Sequence, residues 1–248
     1  RAKLDPLKLP AGIVEAAMWQ LWCKRKFYRW RQRYGANTAQ SSAAFTVLER
    51  CWQNSSLSLS RAWHEQEFLV VDAEMSSLDP LTGELLSLGW VVIRHGRIPI
   101  ASAEHHLLKP KDGVGDSAAI HQLRDCELEQ GLTPEALMEE FLRAAQGRVL
   151  VFHHALLDVA FLDRLCRSIC GAPLLMPALD TLQIEKRNLQ RRDIPLGQNV
   201  LRLASCCARY NLPFSPAHNA LTDALATAEL FLAQVAHKGK DVRLGDLI

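Results

Sequence analysis

The chain has no hydrophobic run near the roughly 18 consecutive residues that a membrane-spanning helix needs, so none is expected within its 248 residues. It also has no Cys-x-x-Cys pair. Its seven cysteines, Cys23, Cys51, Cys126, Cys166, Cys170, Cys206 and Cys207, are odd in number and two are adjacent. That pattern argues against a disulfide or zinc framework and for reduced thiols in a cytoplasmic setting. A secretory signal is not expected, because Glu15 interrupts the only apolar run near the start and no small-residue cleavage site follows. The chain opens on Arg1 and not on Met, which leaves a trimmed start and an upstream targeting segment open. Internal repeats and low-complexity tracts are absent. With 48% hydrophobic and 23% charged residues, the composition is that of a globular chain, one large domain or one ordinary domain with an appendage.

Net charge is also scarce, at +2, but it is unevenly spread. Residues 1–66 carry 11 Lys and Arg against four Asp and Glu, a net +7, and hold five of the six tryptophans (Trp19, Trp22, Trp30, Trp52, Trp63). The remainder carries a net -5. Helical spacing runs from Val14 to about Tyr34 and again through Phe45, Leu48, Cys51 and Trp52, so residues 1–66 read as a basic, tryptophan-rich helical extension.

Beyond it the pattern changes. Phe68–Glu74 (FLVVDAE) is a short apolar, β-branched run of the kind buried as a central strand. Strands are then expected at Leu85–Arg94 and at about Ile98–Leu108, making an antiparallel meander. Residues 111–116 break the chain. Short helices are expected at about Ser117–Arg124 and Pro134–Ala145, a strand at Arg148–Phe152, a helix at Leu156–Cys170 and a brief strand near Leu174–Leu179. Helices at about Asp180–Arg191, Asn199–Tyr210 and Ala220–Ala236 complete the series. A meander followed by strand–helix alternation implies an α/β fold with a mixed sheet flanked by helices.

Three acidic features stand out. Asp72 and Glu74 lie two apart on a strand, so both carboxylates project from one face. Like charges on a buried element are costly unless a cation neutralises them, and oxygen donors without a Cys or His cluster favour Mg²⁺ or Mn²⁺. Taken alone, the pair fits equally well an exposed strand end with solvated acids. Asp158 falls early in a helix, where the helix dipole favours an acid in any case. His218 and Asp223 open the last helix, the imidazole on the entering loop and the carboxylate about one turn inside, an arrangement also ordinary for a helix start.

Together the motifs are more specific. Asp-x-Glu in FLVVDAEMSSLDP, Asp158 in VLVFHHALLDVAFL and His-x4-Asp in HNALTDALATAELFL resemble, in order and wording, the DEDDh (DnaQ-like) 3′–5′ exonucleases. That group contains the proofreading epsilon subunit of bacterial DNA polymerase III, oligoribonuclease and ribonuclease T. AIHQLRD resembles the family segment with a substrate-facing histidine, and ALDTLQIEKR the strand-to-helix step after the second motif. The resemblance covers about Glu67–Ala236, and its third motif is of the epsilon type. Met75 replaces the usual Thr, Ser77 the usual Gly and His154 the usual Asn, and none of these removes a metal ligand.

The resemblance implies a ribonuclease-H-like fold with a mixed five-stranded sheet, an exonuclease domain at 67–238, the helical extension before it and a C-terminal tail at 239–248. It implies two divalent cations, Mg²⁺ or Mn²⁺, with Asp72 bridging them, Glu74 and Asp223 completing the shell of one, and Asp158 on the side of the other. His218 would be the general base. Met75, Ser76 and His121 would contact the terminal nucleotide, a core or solvent role for each being equally open. The implied reaction is metal-dependent release of 5′-mononucleotides from single-stranded DNA or 3′ ends. An exoribonuclease or oligonucleotide-degrading enzyme of the same family is the second reading. A catalytically weak nucleic-acid-binding or polymerase-associated subunit is the third.

The extension is not covered by the resemblance. Lys24–Arg33 holds six basic residues in ten, interleaved with Phe27, Tyr28 and Trp30, which suits phosphate neutralisation and base stacking. It equally suits packing on the catalytic domain or in a homodimer, docking to a polymerase or other partner, or an anionic membrane surface.

Overall fold

The computed structural model describes residues 23–29, 43–54, 58–109, 130–213 and 219–248. Strands β1 (Phe68–Met75), β2 (Leu85–Ile93), β3 (Glu104–Leu107), β4 (Val149–Phe152) and β5 (Ala178–Asp180) form one sheet in the order β3-β2-β1-β4-β5. β1 is antiparallel to β2 and parallel to β4; β2–β3 is antiparallel and β4–β5 parallel. The sheet is therefore mixed and five-stranded, with helices α1 (Ala43–Asn54), α2 (Pro134–Ala145), α3 (Ala155–Cys170), α4 (Thr181–Arg191), α5 (Leu203–Arg209) and α6 (Ala220–Lys238) around it. No helix among the described residues is long and apolar enough to cross a membrane.

β1 occupies the centre because its side chains suit burial on both faces. Leu69, Val71 and Ala73 join the core shared with α1, α2 and α3. Phe68 and Val70 join the other core, with Phe231 and Val235 of α6, Ile184 of α4, and Val242, Leu244 and Leu247 near the C-terminus. Packing thus continues past both ends of the 67–238 segment. Ala44, Phe45, Leu48, Cys51 and Trp52 of α1 are buried in the first core, and a 3-10 turn at Leu244–Leu247 closes the second.

The described part of the basic segment, 23–29, is helical and packs on this frame. Arg25, 9% exposed, donates from Nε and Nη2 to the Leu175 carbonyl (3.0 and 2.6 Å) and from Nη1 to the Trp52 carbonyl (3.2 Å). Burial lowers its guanidinium to about 10. Tyr28 packs against the first core, while Phe27 is exposed. Trp52 Nε1 donates to the Leu174 carbonyl at 2.8 Å.

These contacts explain one departure from the expected elements. The strand expected at Leu174–Leu179 begins only at Ala178, since the Leu174 and Leu175 carbonyls are taken by Trp52 and Arg25 and Leu175 is left-handed (φ 44°). The third strand, expected from Ile98, is Glu104–Leu107 alone. Pro99 has no N–H for the ladder, and Ser102 Oγ accepts instead from Val92 N. The helix expected from Asn199 starts at Leu203, because Asn199 is itself left-handed (φ 61°). The helix expected at Ser117–Arg124 lies outside the described residues.

One glycine sets how closely α6 approaches the sheet. Gly89 pairs with Asp72 across β1–β2 and with His105 across β2–β3. A Cβ built there would stand 2.3 Å from Leu221 N and 2.4 Å from the Ala220 carbonyl carbon. These are backbone atoms of the first turn of α6, so no side-chain rotation relieves the overlap. Gly89→Ala is expected to destabilise the fold by about 3 kcal/mol, read as a lowered urea midpoint, and to push the start of α6 away from Asp72.

Candidate metal centre

Asp72 and Glu74 occupy alternate positions at the end of β1 and so share the face that α6 covers. Asp223 arrives from the other side, in the first turn of α6. Asn219 caps that helix, its Oδ1 accepting from Leu221 N (3.1 Å) and Thr222 N (3.2 Å), while its carbonyl accepts from Asp223 N (2.9 Å). With the turn fixed, one carboxylate oxygen each from Asp72, Glu74 and Asp223 lies within 4.8 Å of the others.

Asp158 is outside that triplet but next to it. It is 6% exposed, in the first turn of α3, and its carboxylate accepts the backbone N–H groups of Ala73 and of its own residue. The parallel pairing of β1 and β4 brings α3 to this end of β1. Burial pushes the Asp158 carboxyl up to about 7 despite those hydrogen bonds, with the charges of Asp180 and Glu74 adding to the rise. Asp72 is pushed well above the usual carboxylate range, first by burial and then by the charges of Asp158, Asp223 and Glu74. Asp72 therefore feels the other three acids, and Asp158 also feels Glu74.

Buried carboxylates that repel in this way suit a divalent cation. The donors are all oxygen, which fits a hard cation of the Mg²⁺ or Mn²⁺ type better than zinc. The structure brings together the four acids singled out in the sequence. Met75 is half-buried against the first core. The Ser76 hydroxyl accepts from Glu84 N (2.8 Å), closing the loop after β1. His121 and His218 lie outside the described residues.

Other residues that shape the site carried little or no sequence signal. Arg164 of α3 donates to the carbonyls of Pro80 and Gly83 and lies 5.4 Å from the Phe161 ring centroid, tying the loop after β1 to the helix that bears Asp158. Nothing local in the sequence marks it for that task. Asp180 caps α4 through Leu182 N (2.9 Å); an acid between an apolar run and a helix is the usual signature of such a cap. Its further contacts, to His154 N (2.9 Å) and Ala155 N (3.1 Å), are not visible in sequence.

The comparisons with known proteins agree with this geometry. The PolC-type DNA polymerase III of Thermotoga petrophila is 30% identical over 177 residues, 71% of this chain but 12% of that relative, so the chain spans about an eighth of its length. The epsilon subunit of DNA polymerase III from Escherichia coli K12 is 28% identical over 177 residues, 66% of this chain and 70% of the subunit. Among solved structures, E. coli exonuclease I in complex with single-stranded DNA superposes with a TM-score of 0.59 at 15% identity, over 70% of this chain and 41% of that one. Cell-death related nuclease 4 superposes with a TM-score of 0.59 at 14% identity, over 71% of this chain and 66% of the nuclease. These likenesses show a shared fold. Residues 69–231, from the first residues of β1 to Phe231 of α6, match the RNase_T exonuclease family as a continuous unit enclosing all four acids, and the chain belongs to that family.

Proposed function

We propose that the protein is a metal-dependent 3′–5′ exonuclease that shortens DNA strands, releasing 5′-mononucleotides. The observation that carries this reading is the convergence of Asp72, Glu74 and Asp223 within 4.8 Å, beside the buried Asp158. Two Mg²⁺ or Mn²⁺ ions held by these four carboxylates would supply Lewis-acid stabilisation to the attacking and leaving oxygens of a displacement at phosphorus.

The chain's own residues do the rest. Asp72 and Glu74, fixed on the central strand, set the position of the scissile phosphate. Asp223 closes the site from α6 and Asp158 from α3. His218, adjoining the Asn219 cap in sequence, takes the proton from the attacking water, the general-base role that histidine side chains most often fill near neutral pH. Met75, Ser76 and His121 contact the terminal nucleotide. DNA is favoured over RNA because relatives are named as DNA polymerase III chains and exonuclease I has been solved with single-stranded DNA.

The direct test supplies the full chain with 5′-labelled single-stranded DNA, the same strand blocked at its 3′ end, and short RNA, each with Mg²⁺, Mn²⁺ or chelator. The expected result is a ladder of shortened DNA, abolished by the 3′ block and by chelation. Asp223→Asn should lower turnover by at least about 100-fold with its circular dichroism unchanged, and His218→Ala by about 100-fold or more. Wild-type turnover by a folded Asp223→Asn protein contradicts the assignment.

A second prediction concerns stability. The Asp158 carboxyl rises from an ordinary 3.8 to about 7 on folding, so between those values the folded state holds a proton that the unfolded state has lost. The stability that this proton contributes to the metal-free protein should therefore be lost as pH rises from about 4 to 7. Urea unfolding in chelator at pH 5 and pH 7.5 measures this. Asp158→Asn should flatten the slope, and millimolar Mg²⁺ should raise stability most at the higher pH.

A further inference from the structure

The residue that leads into α3 is held in an unfavourable backbone conformation by a residue of β5. His154, immediately before α3, has φ 70° and ψ 53°, the left-handed region that a non-glycine residue enters at a cost. Its own side chain makes no capping hydrogen bond to the helix. The turn is instead held from β5, where Asp180 pairs in register with Phe152 at the end of β4. Asp180 Oδ1 accepts from His154 N at 2.9 Å and Oδ2 from Ala155 N at 3.1 Å. The neighbouring residue reinforces the grip: Thr181 Oγ1 lies 2.8 Å from His153 Nδ1 and donates to the Phe152 carbonyl at 3.1 Å. On its other side, His153 Nε2 donates to the Leu201 carbonyl at 2.9 Å.

Asp180 thus does two things, with Oδ1 serving both by accepting from Leu182 N and from His154 N, and Oδ2 serving the clamp alone. As the cap of α4 it needs one oxygen, accepting from Leu182 N at 2.9 Å, a task that Ser performs about as well. As a clamp on His154 and Ala155 it needs a planar pair of oxygens reaching a segment about 26 residues earlier in the chain. Helix α3 starts at Ala155, and Asp158 stands three residues on, so the direction of the clamped turn is also the direction in which Asp158 faces β1.

We propose that Asp180 is a positioning residue of the metal centre, its carboxylate clamping the left-handed turn at His154–Ala155 so that Asp158 is aimed at the cation site. The inference rests on the proposed metal-binding role of Asp158. It assigns Asp180 no contact with substrate or cation.

The variant that separates clamp from cap is Asp180→Ser, which keeps a capping oxygen for α4 and is too short and too poor in oxygens to hold the turn. Mn²⁺ binding to the metal-depleted full chain is measured by titration with electron paramagnetic resonance, alongside the melting temperature. Wild type is measured first: if it binds no Mn²⁺, the metal reading falls and this inference with it. Given wild-type binding, Asp180→Ser should bind Mn²⁺ about 10-fold or more weakly with a melting temperature within a few degrees of wild type. Adding His154→Asn should recover most of the loss, because Asn tolerates the left-handed conformation without a clamp. Thr133→Ala, which removes the cap of α2, should lower the melting temperature and leave Mn²⁺ affinity unchanged. Asp180→Asn, with one oxygen kept, should fall between wild type and Asp180→Ser and serves in its place should the latter not fold. Wild-type Mn²⁺ affinity in the clamp variant, or no recovery on adding His154→Asn, overturns the proposal while leaving the metal reading intact.

Discussion

Four carboxylates that repel one another have to be held together, and much of the architecture is arranged around that constraint. Three of them, Asp72, Glu74 and Asp223, have oxygens within 4.8 Å of one another, and unit charges at about 5 Å repel by about 3 kcal/mol per pair at an effective dielectric near 20. Left to themselves, the elements carrying them would drift apart or the acids would stay protonated. Asp72 and Glu74 are held because β1 pairs with β2 through both of them and with β4 over Phe68–Val70, and its apolar side chains fill two cores. Asp223 is pinned because Gly89 lets the first turn of α6 press onto the backbone of β2. Asp158 is pinned by the Ala73 N–H, and its helix is tied to the loop after β1 by Arg164.

The described parts of the first quarter of the chain also pack on this frame. α1 buries Ala44, Phe45, Leu48, Cys51 and Trp52 in the core that also receives Leu162 and Cys166 of α3. Arg25 and Trp52 hold the segment leading into β5 by its carbonyls. β5 ends in Asp180, so packing contributed by residues before 66 supports the strand that faces the α3 turn. In the described stretch 23–29, Arg25 is buried while Lys24 and Lys26 are exposed to solvent.

Much of this was legible in the sequence, where the relevant signals are local. A strand period of two places Asp72 and Glu74 on one face, and a helix beginning just after Asn219 puts Asp223 in its first turn; both hold in the structure. The apolar runs at Phe68 and Val149 marked the central strand β1 and its parallel neighbour β4. Signals that depend on distant partners were not legible. Leu174 and Leu175 have strand-like composition, yet their carbonyls go to side chains 122 and 150 residues earlier. Asp180 shows its capping role locally, whereas its grip on His154 depends on β4 and β5 lying side by side. Gly89 reads as an unremarkable glycine within a strand until the position of α6 is known.

If this acidic cluster is a divalent-cation site, burial and neighbouring charge favour the protonated forms of Asp72 and Asp158 until a cation arrives. Cation binding then has to expel protons. Calorimetric titration of Mn²⁺ into the metal-free chain near pH 6.5, repeated in buffers of different ionisation enthalpy, counts them directly. The expected result is release of about one proton or more per chain at pH 6.5, the share from Asp158 diminishing as pH rises past about 7. Binding with no proton release at pH 6.5, or no binding at all, would contradict it.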